Sequence, residues 1–228
     1  MICKNLEIIW EKIDKAANKI GKSKDDITLV AVSKTFPVDK IIEAYECGQK
    51  IFGENRVQEA LKKVEVLKDR YPDIKFHLIG HLQSNKARYL KNNFTLIHSV
   101  DRIEIAELIN KYAKKNNLVQ DILIQVNLAE EPQKSGVLLN DFDKLMETVL
   151  SCENLKLRGL MMIPPLVEDA EMNRPLFAKM YELFVKTNDK YNINMDYLSM
   201  GMSDDFEIAI EEGANMVRIG SAIFGKRG

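Results

Sequence analysis

Much is scarce in this chain, and each scarcity closes off a class of function. Neither sign of charge is in excess, since 33 basic residues meet 34 acidic ones for a formal net charge of -1. A nucleic-acid binder needs a basic stripe. The Lys-Lys pairs at 62–63 and 114–115 instead sit among acidic neighbours, as on solvated helix faces. No apolar run approaches the roughly 20 residues that span a bilayer. The opening residues, Met1 to Glu7, carry charge and amide where a signal peptide needs an unbroken apolar core. The expectation is a soluble, cytoplasmic chain with neither nucleic acid nor membrane as partner. Cys3, Cys47 and Cys152 are odd in number and share no metal-like spacing, so they read as buried or incidental thiols in a reducing compartment. Histidines are as few. His77 and His81 are four apart, which suits a metal only on a helix, yet they span a predicted strand and a glycine turn. With His98 they read as structural histidines, His81 ordering the loop near Gln83 and Asn85, and no metal is expected.

What is present is a regular alternation of short β-rich runs and longer helical ones. Leu6, Ile9, Ile13, Ala17 and Ile20 recur at helical spacing, with Gly21 placed to stop that helix. Eight candidate strands follow: 28–33, 50–53, 75–79, 95–100, 121–127, 156–161, 196–200 and 215–219. A helical segment separates each from the next. Asp101 with Glu104 resembles a capping box, and Asn140 precedes the stripe Phe142, Leu145, Val149. Leu176, Met180, Leu183, Phe184 and Thr187 trace the helix after the sixth strand. Eight such units in 228 residues argue for a single (β/α)8 barrel domain over 1–228, with the first helix packed on its outside or bottom. A doubly wound sheet would require a Gly-x-Gly-x-x-Gly turn after the first strand, where Ser33-Lys-Thr-Phe-Pro37 stands instead.

In a barrel the chemistry sits at the C-terminal ends of the strands. Lys34 closes the first strand, Asn55 follows the second, and Met200 to Ser203 follow the seventh. Arg218, Gly220 and Ser221 end the eighth. Closure makes the first, seventh and eighth strands neighbours, so these residues converge. A strand-end lysine can form a Schiff base with an aldehyde. Gly201, Gly220 and Ser221 are small enough for backbone N–H groups to approach a phosphate. Ser203 is placed to cap a helix over 204–211 whose positive end would face an anion. Singly, each has an ordinary explanation: a solvated lysine, a capping serine, a structural arginine, a turn glycine. Together they describe a site for a cofactor with an aldehyde and a phosphate, and pyridoxal 5'-phosphate (PLP) has both.

The motifs also carry a family resemblance. Val30-Ala-Val-Ser-Lys34, Phe52-Gly-Glu-Asn-Arg-Val-Gln-Glu59 and His77-Leu-Ile-Gly-His-Leu-Gln-Ser-Asn-Lys86 are joined by Lys134-Ser-Gly136 and Gly159-Leu-Met161. Ser199-Met-Gly-Met-Ser-Asp204 and Val217-Arg-Ile-Gly-Ser-Ala-Ile-Phe-Gly225 complete the set. Taken together they resemble the YggS/PROSC family of PLP homeostasis proteins, from the first strand to the C-terminus. The resemblance implies a barrel of the alanine racemase N-terminal-domain type. It implies PLP held as an aldimine on Lys34, its phosphate on Ser203, Gly220 and Ser221. Arg218 would face the pyridine nitrogen, with Asn55 and Met200 beside the ring. Ser221 keeps the hydroxyl of the threonine that many members carry.

Arginine stays protonated, so at the pyridine nitrogen it donates and disfavours ring protonation, leaving a poor electron sink. That suits a protein that holds PLP without using it, or a racemase. A racemase needs acid/base groups on both faces of the Cα–H bond. In alanine racemase the opposing tyrosine comes from a further domain, whereas here nine residues follow Ile219. Tyr197 is expected to point away from or below the level of Ser199. The favoured expectation is a monomeric PLP homeostasis protein without robust catalysis, passing cofactor to PLP-dependent apo-enzymes. The alternatives are a minimal PLP-dependent amino-acid racemase and, more weakly, a Schiff-base lyase for a phosphorylated sugar.

Overall fold

In the computed structural model, which describes residues 1–225, the β-branched runs pair in parallel and close on themselves. The strands are β1 (Thr28–Val32), β2 (Ile51–Glu54), β3 (Lys75–Leu78), β4 (Leu96–Val100), β5 (Gln120–Gln125), β6 (Leu155–Met161), β7 (Tyr197–Ser199) and β8 (Met216–Ile219). Each pairs with the next, and β8 returns to β1 through Thr28↔Met216 to Ala31↔Ile219. The helices are α1 (Ile2–Lys19), α2 (Val38–Glu46), α3 (Val57–Leu67), α4 (Ile103–Lys115), α5 (Leu139–Ser151), α6 (Arg174–Tyr191), α7 (Phe206–Glu211) and α8 (Ser221–Phe224). A 3-10 segment, Ser84–Tyr89, stands between β3 and β4. All eight expected strands are present, and the expected domain end at 228 lies outside the described residues.

Strand alternation divides the core in two. Inward residues Val30, Leu96, Leu123, Met161 and Met216 fill the barrel floor, with Ile51, Ile163 and Tyr197 against them. Outward residues such as Ala31, Phe52, Leu78, Ile97, Leu198 and Ile219 pack under the helices. Gly159 is required where β6 meets β7, because a Cβ there would lie 1.8 Å from the Tyr197 carbonyl oxygen. The stripe of α1 buries Ile2, Leu6, Ile9, Ile13, Ala16 and Ala17 outside the barrel, against α7 and α8. Each such buried Ile or Leu contributes ~1.5–3 kcal/mol. Gly21, at φ +71, turns the chain out of α1 as expected. Among the described residues no helix is long and apolar enough to cross a membrane, and no cluster of metal-ligating residues occurs.

Four expectations change. Cys3 and Cys47 are not incidental thiols: α1 and α2 bring their Cα atoms to 5.2 Å and a disulfide joins them, leaving Cys152 free. Asp101 does not cap α4, because the neighbouring Arg102 guanidinium takes its carboxylate at 2.7 Å. Asn140 lies inside α5, one residue past its start. Ser203 does not cap α7, which begins at Phe206. Asp205 accepts from the Met202 N–H at 2.7 Å and so occupies the turn ahead of the helix.

Candidate functional site

The inward pattern that fills the barrel floor with apolar side chains turns polar one layer higher and opens at the mouth. There a cavity of about 610 Å³ is lined by Lys34, Asn55, Ser203, Arg218, Gly220 and Ser221, six of the seven residues expected from the sequence. Lys34 follows Val30 and Val32 on the inward face of β1 and is half-buried. The next residue, Thr35, is held at φ +69. Asn55 is packed from behind by Gly80, where a Cβ would meet the Asn55 carbonyl oxygen at 2.3 Å.

Met200 is the seventh, and it faces the other way. Alternation along β7 sends Tyr197 and Ser199 inward and Leu198 and Met200 outward, so Met200 is fully buried under the helices. Met202 and Ile163 stand in the cavity wall instead. Ile79, Gln125, Lys134, Ser135 and His81 also line it and had not been assigned a role there. Ile79 and Gln125 were findable, because each continues the inward register of its strand. Lys134 lies in the motif Lys134-Ser-Gly136 that the resemblance singles out, and its bonds to Pro164 O (2.8 Å) and Glu131 (2.5 Å) hold its loop at the cavity.

Two groups of donors face this space. Ser203 Oγ accepts from Gly220 N–H at 3.4 Å and Ala222 N–H at 3.5 Å, both at the long end for such bonds. Ser221 begins α8 beside them, and Phe224 at its end stacks on Phe36 of the cavity wall, centroids 5.1 Å apart. On the cavity floor, Arg218 is 4% exposed and makes no ion pair among the described residues. Its Nη1 donates to Ser199 Oγ (2.7 Å) and its Nη2 to Met162 O (2.8 Å), leaving further N–H donors. Burial pulls its pKa down to about 10, with Asp205 opposing.

Beneath Arg218 a polar chain crosses the barrel. Ser199 Oγ lies 3.1 Å from His98 Nδ1, and His98 Nε2 lies 3.0 Å from His77 Nδ1. In each contact one partner donates and the other accepts, in a direction set by the tautomers of the two rings. Burial holds both rings neutral, His77 at about 3 and His98 well below its ordinary range. They are satisfied structural histidines, as expected, with a serine and an arginine as the partners the spacing could not reveal.

The comparisons with known proteins agree with this geometry. The family model described as alanine racemase, N-terminal domain, matches residues 5–228. The chain is 48% identical over 225 residues to the pyridoxal phosphate homeostasis protein of Aquifex aeolicus, covering 99% of this chain and 98% of that one. It is 40% identical over 227 residues to the protein of the same name from Escherichia coli, covering 99% and 97%. Among solved structures, PipY of Synechococcus elongatus with PLP bound matches with a TM-score of 0.86 at 35% identity, covering 99% of this chain and all of that one. A Clostridium difficile alanine racemase matches with a TM-score of 0.73 at 15% identity, covering 98% of this chain and 60% of that one, which shows the shared barrel alone. A lysine, a buried guanidinium outside any ion pair among the described residues and a cluster of weakly engaged N–H donors thus occur on the fold and sequence of one group, and the chain belongs to the pyridoxal phosphate homeostasis protein family.

Proposed function

We propose that this protein holds PLP reversibly on Lys34 and serves to keep the cofactor's aldehyde sequestered yet available to PLP-dependent apo-enzymes. The observation that carries the reading is the convergence of Lys34, Arg218 and the Ser203–Gly220–Ala222 donor cluster on one cavity. The residues fit the cofactor. The N–H groups of Gly220 and Ala222 share one hydroxyl at long range, so a phosphate would gain strong bonds at small cost. Arg218 is a buried donor without a carboxylate, suited to an unprotonated ring nitrogen. The names of the relatives and the PLP in PipY support the same assignment.

When bound, PLP supplies an aldehyde for reversible condensation with the Lys34 amine, giving a Schiff base and water. The chain's own groups do the rest. Ser203, Gly220 and Ser221 hold the phosphate, Arg218 keeps a proton off the ring nitrogen, and Asn55 borders the ring. The open mouth leaves the link accessible to water and to competing amines. A carrier needs that access.

The racemase reading finds less support. Among the described residues no tyrosine lines the cavity, and Tyr197 packs on the barrel floor below Ser199. The test is Cα proton exchange into deuterated solvent across an amino-acid panel with PLP-loaded protein. The carrier reading expects rates no greater than those of free PLP. Exchange well above that level and abolished in Lys34→Ala would establish a racemase-type enzyme.

A further inference from the structure

Behind the β1–β2 wall lies a charge cluster that none of the foregoing uses. Glu54 ends β2, and its outward carboxylate is fully buried. Lys63, on α3, reaches inward with 7% of its side chain exposed and donates to Glu54 (2.8 Å), Glu59 (2.9 Å) and the Ser33 carbonyl oxygen (2.9 Å). Ser33 Oγ donates to Glu54 at 2.5 Å, and the Thr35 N–H donates to Glu59 at 2.7 Å. The bonds of this cluster that touch the backbone just past β1 land on residue 33 and residue 35, either side of Lys34.

Such a cluster is a poor way to stabilise a fold. One cation stands between two carboxylates, and a second oxygen of Glu54 is buried with no hydrogen-bond partner. Burial pushes the Glu54 carboxyl up despite the bonds from Lys63 and Ser33. Well-packed apolar residues of the same volume would serve stability as well or better. What apolar residues cannot do is hold Thr35. A β-branched residue at φ +69 is strained, and without an external bond it relaxes toward negative φ. The Thr35 side chain is exposed, so its own packing does not impose the conformation. The Phe36 N–H closes the turn onto the Ser33 carbonyl oxygen at 3.1 Å, and the bond from the Thr35 N–H to Glu59, which Lys63 fixes in turn, ties that turn to α3.

We propose that Glu54, Lys63 and Glu59 are positioning residues for Lys34: they clamp both of its chain neighbours and hold the strained Thr35 turn that keeps the lysine in the barrel mouth. This rests on Lys34 being the amine that meets PLP, so the test carries a readout that does not need PLP. The variants are Glu59→Met, which removes the acceptor, Lys63→Met and Thr35→Gly, and the double variant Glu59→Met/Thr35→Gly. Glycine adopts positive φ without strain, so Thr35→Gly removes the need for the clamp. Lys34 reactivity is measured by peptide mapping after limited acylation with a small amine-reactive ester, and in parallel by borohydride trapping of added PLP.

Glu59→Met and Lys63→Met are expected to change Lys34 acylation and slow PLP trapping ~10-fold, a loss on the scale of one charge-assisted bond. The double variant should return both to within about twofold of wild type, as coupled neighbours do in a mutant cycle. A merely structural role predicts no rescue, because glycine at position 35 cannot refill a damaged core. Wild-type reactivity in Glu59→Met, or a double variant no better than the single, overturns the proposal; Glu59 is the partly exposed member, so this arm stands even if Lys63→Met does not fold. Clamp-dependent acylation without any PLP trapping at Lys34 would uphold the clamp and reject the PLP reading instead.

Discussion

Opening the Cys3–Cys47 disulfide is the perturbation whose size follows most directly from the structure. The bond joins the first turn of α1 to the residue after α2, across a sequence separation of 44. In the native state little should move, because other contacts hold the α1 N-terminus. Ile2 and Leu6 are buried there, and Asn5 Nδ2 donates to the Ile223 carbonyl oxygen at 2.8 Å. The effect lies in the unfolded chain, which regains the freedom of a 44-residue loop. Chain-entropy scaling puts that at about 4 kcal/mol. For a chain of this length it corresponds to a fall in Tm of roughly 8–16 °C. The assay is urea denaturation of wild type with and without reductant, beside Cys3→Ser/Cys47→Ser. Wild type should lose most of that stability on reduction and then match the double variant, which should not respond to reductant. A wild type that changes by less than about 1 kcal/mol, or whose intact mass shows all thiols free, would refute the reasoning.

Three further outcomes follow from particular contacts. The His77 ring, with a folded pKa of about 3 against an ordinary 6.5, binds its proton more readily in the unfolded chain. Its contribution is therefore complete above pH 6.5 and lost as pH falls from there toward 3, by about 2 kcal/mol at pH 5. His77→Gln, whose amide can donate to or accept from His98, should flatten the stability difference between pH 7.5 and pH 5 by about that amount, and an unchanged slope would contradict it. Gly159→Ala should cost about 3 kcal/mol or more, since the new methyl meets backbone rather than a movable side chain; a thermal shift of under 2 °C would show that β6 and β7 separate freely. Ser203→Ala should weaken PLP binding about tenfold in a spectroscopic titration, and unchanged affinity would remove Ser203 from the phosphate site.

The barrel was legible because parallel strands buried on both faces read as unbroken apolar runs, with turn residues marking their ends. Runs such as Leu29 to Val32 and Ile122 to Ile124 admit little else. Helix starts were less legible. Asp101, Asn140 and Ser203 each have the chemistry of a cap, but whether a side chain caps depends on what else it can bond. Arg102 and Asp205 decided two of those cases. Six of the seven site residues converge because barrel closure brings β7, β8 and β1 together. Met200 fails because period-2 alternation places it opposite Ser199, a rule already visible in Tyr197. The Cys3–Cys47 bond, the His77–His98 pair and the Glu54–Lys63 bridge were out of reach for one physical reason. Each joins elements whose approach is set by tertiary packing, not by local spacing.

The central claim is that Lys34 is the residue that takes PLP. The direct measurement is to add PLP to the purified protein, reduce with borohydride and map the modified peptide by mass. The account predicts one phosphopyridoxyl group per chain, on the peptide containing Lys34, and none there in Lys34→Ala. Modification confined to other lysines, or no stable adduct at saturating PLP, would contradict it, and the cavity at the barrel mouth would then have to serve a different ligand.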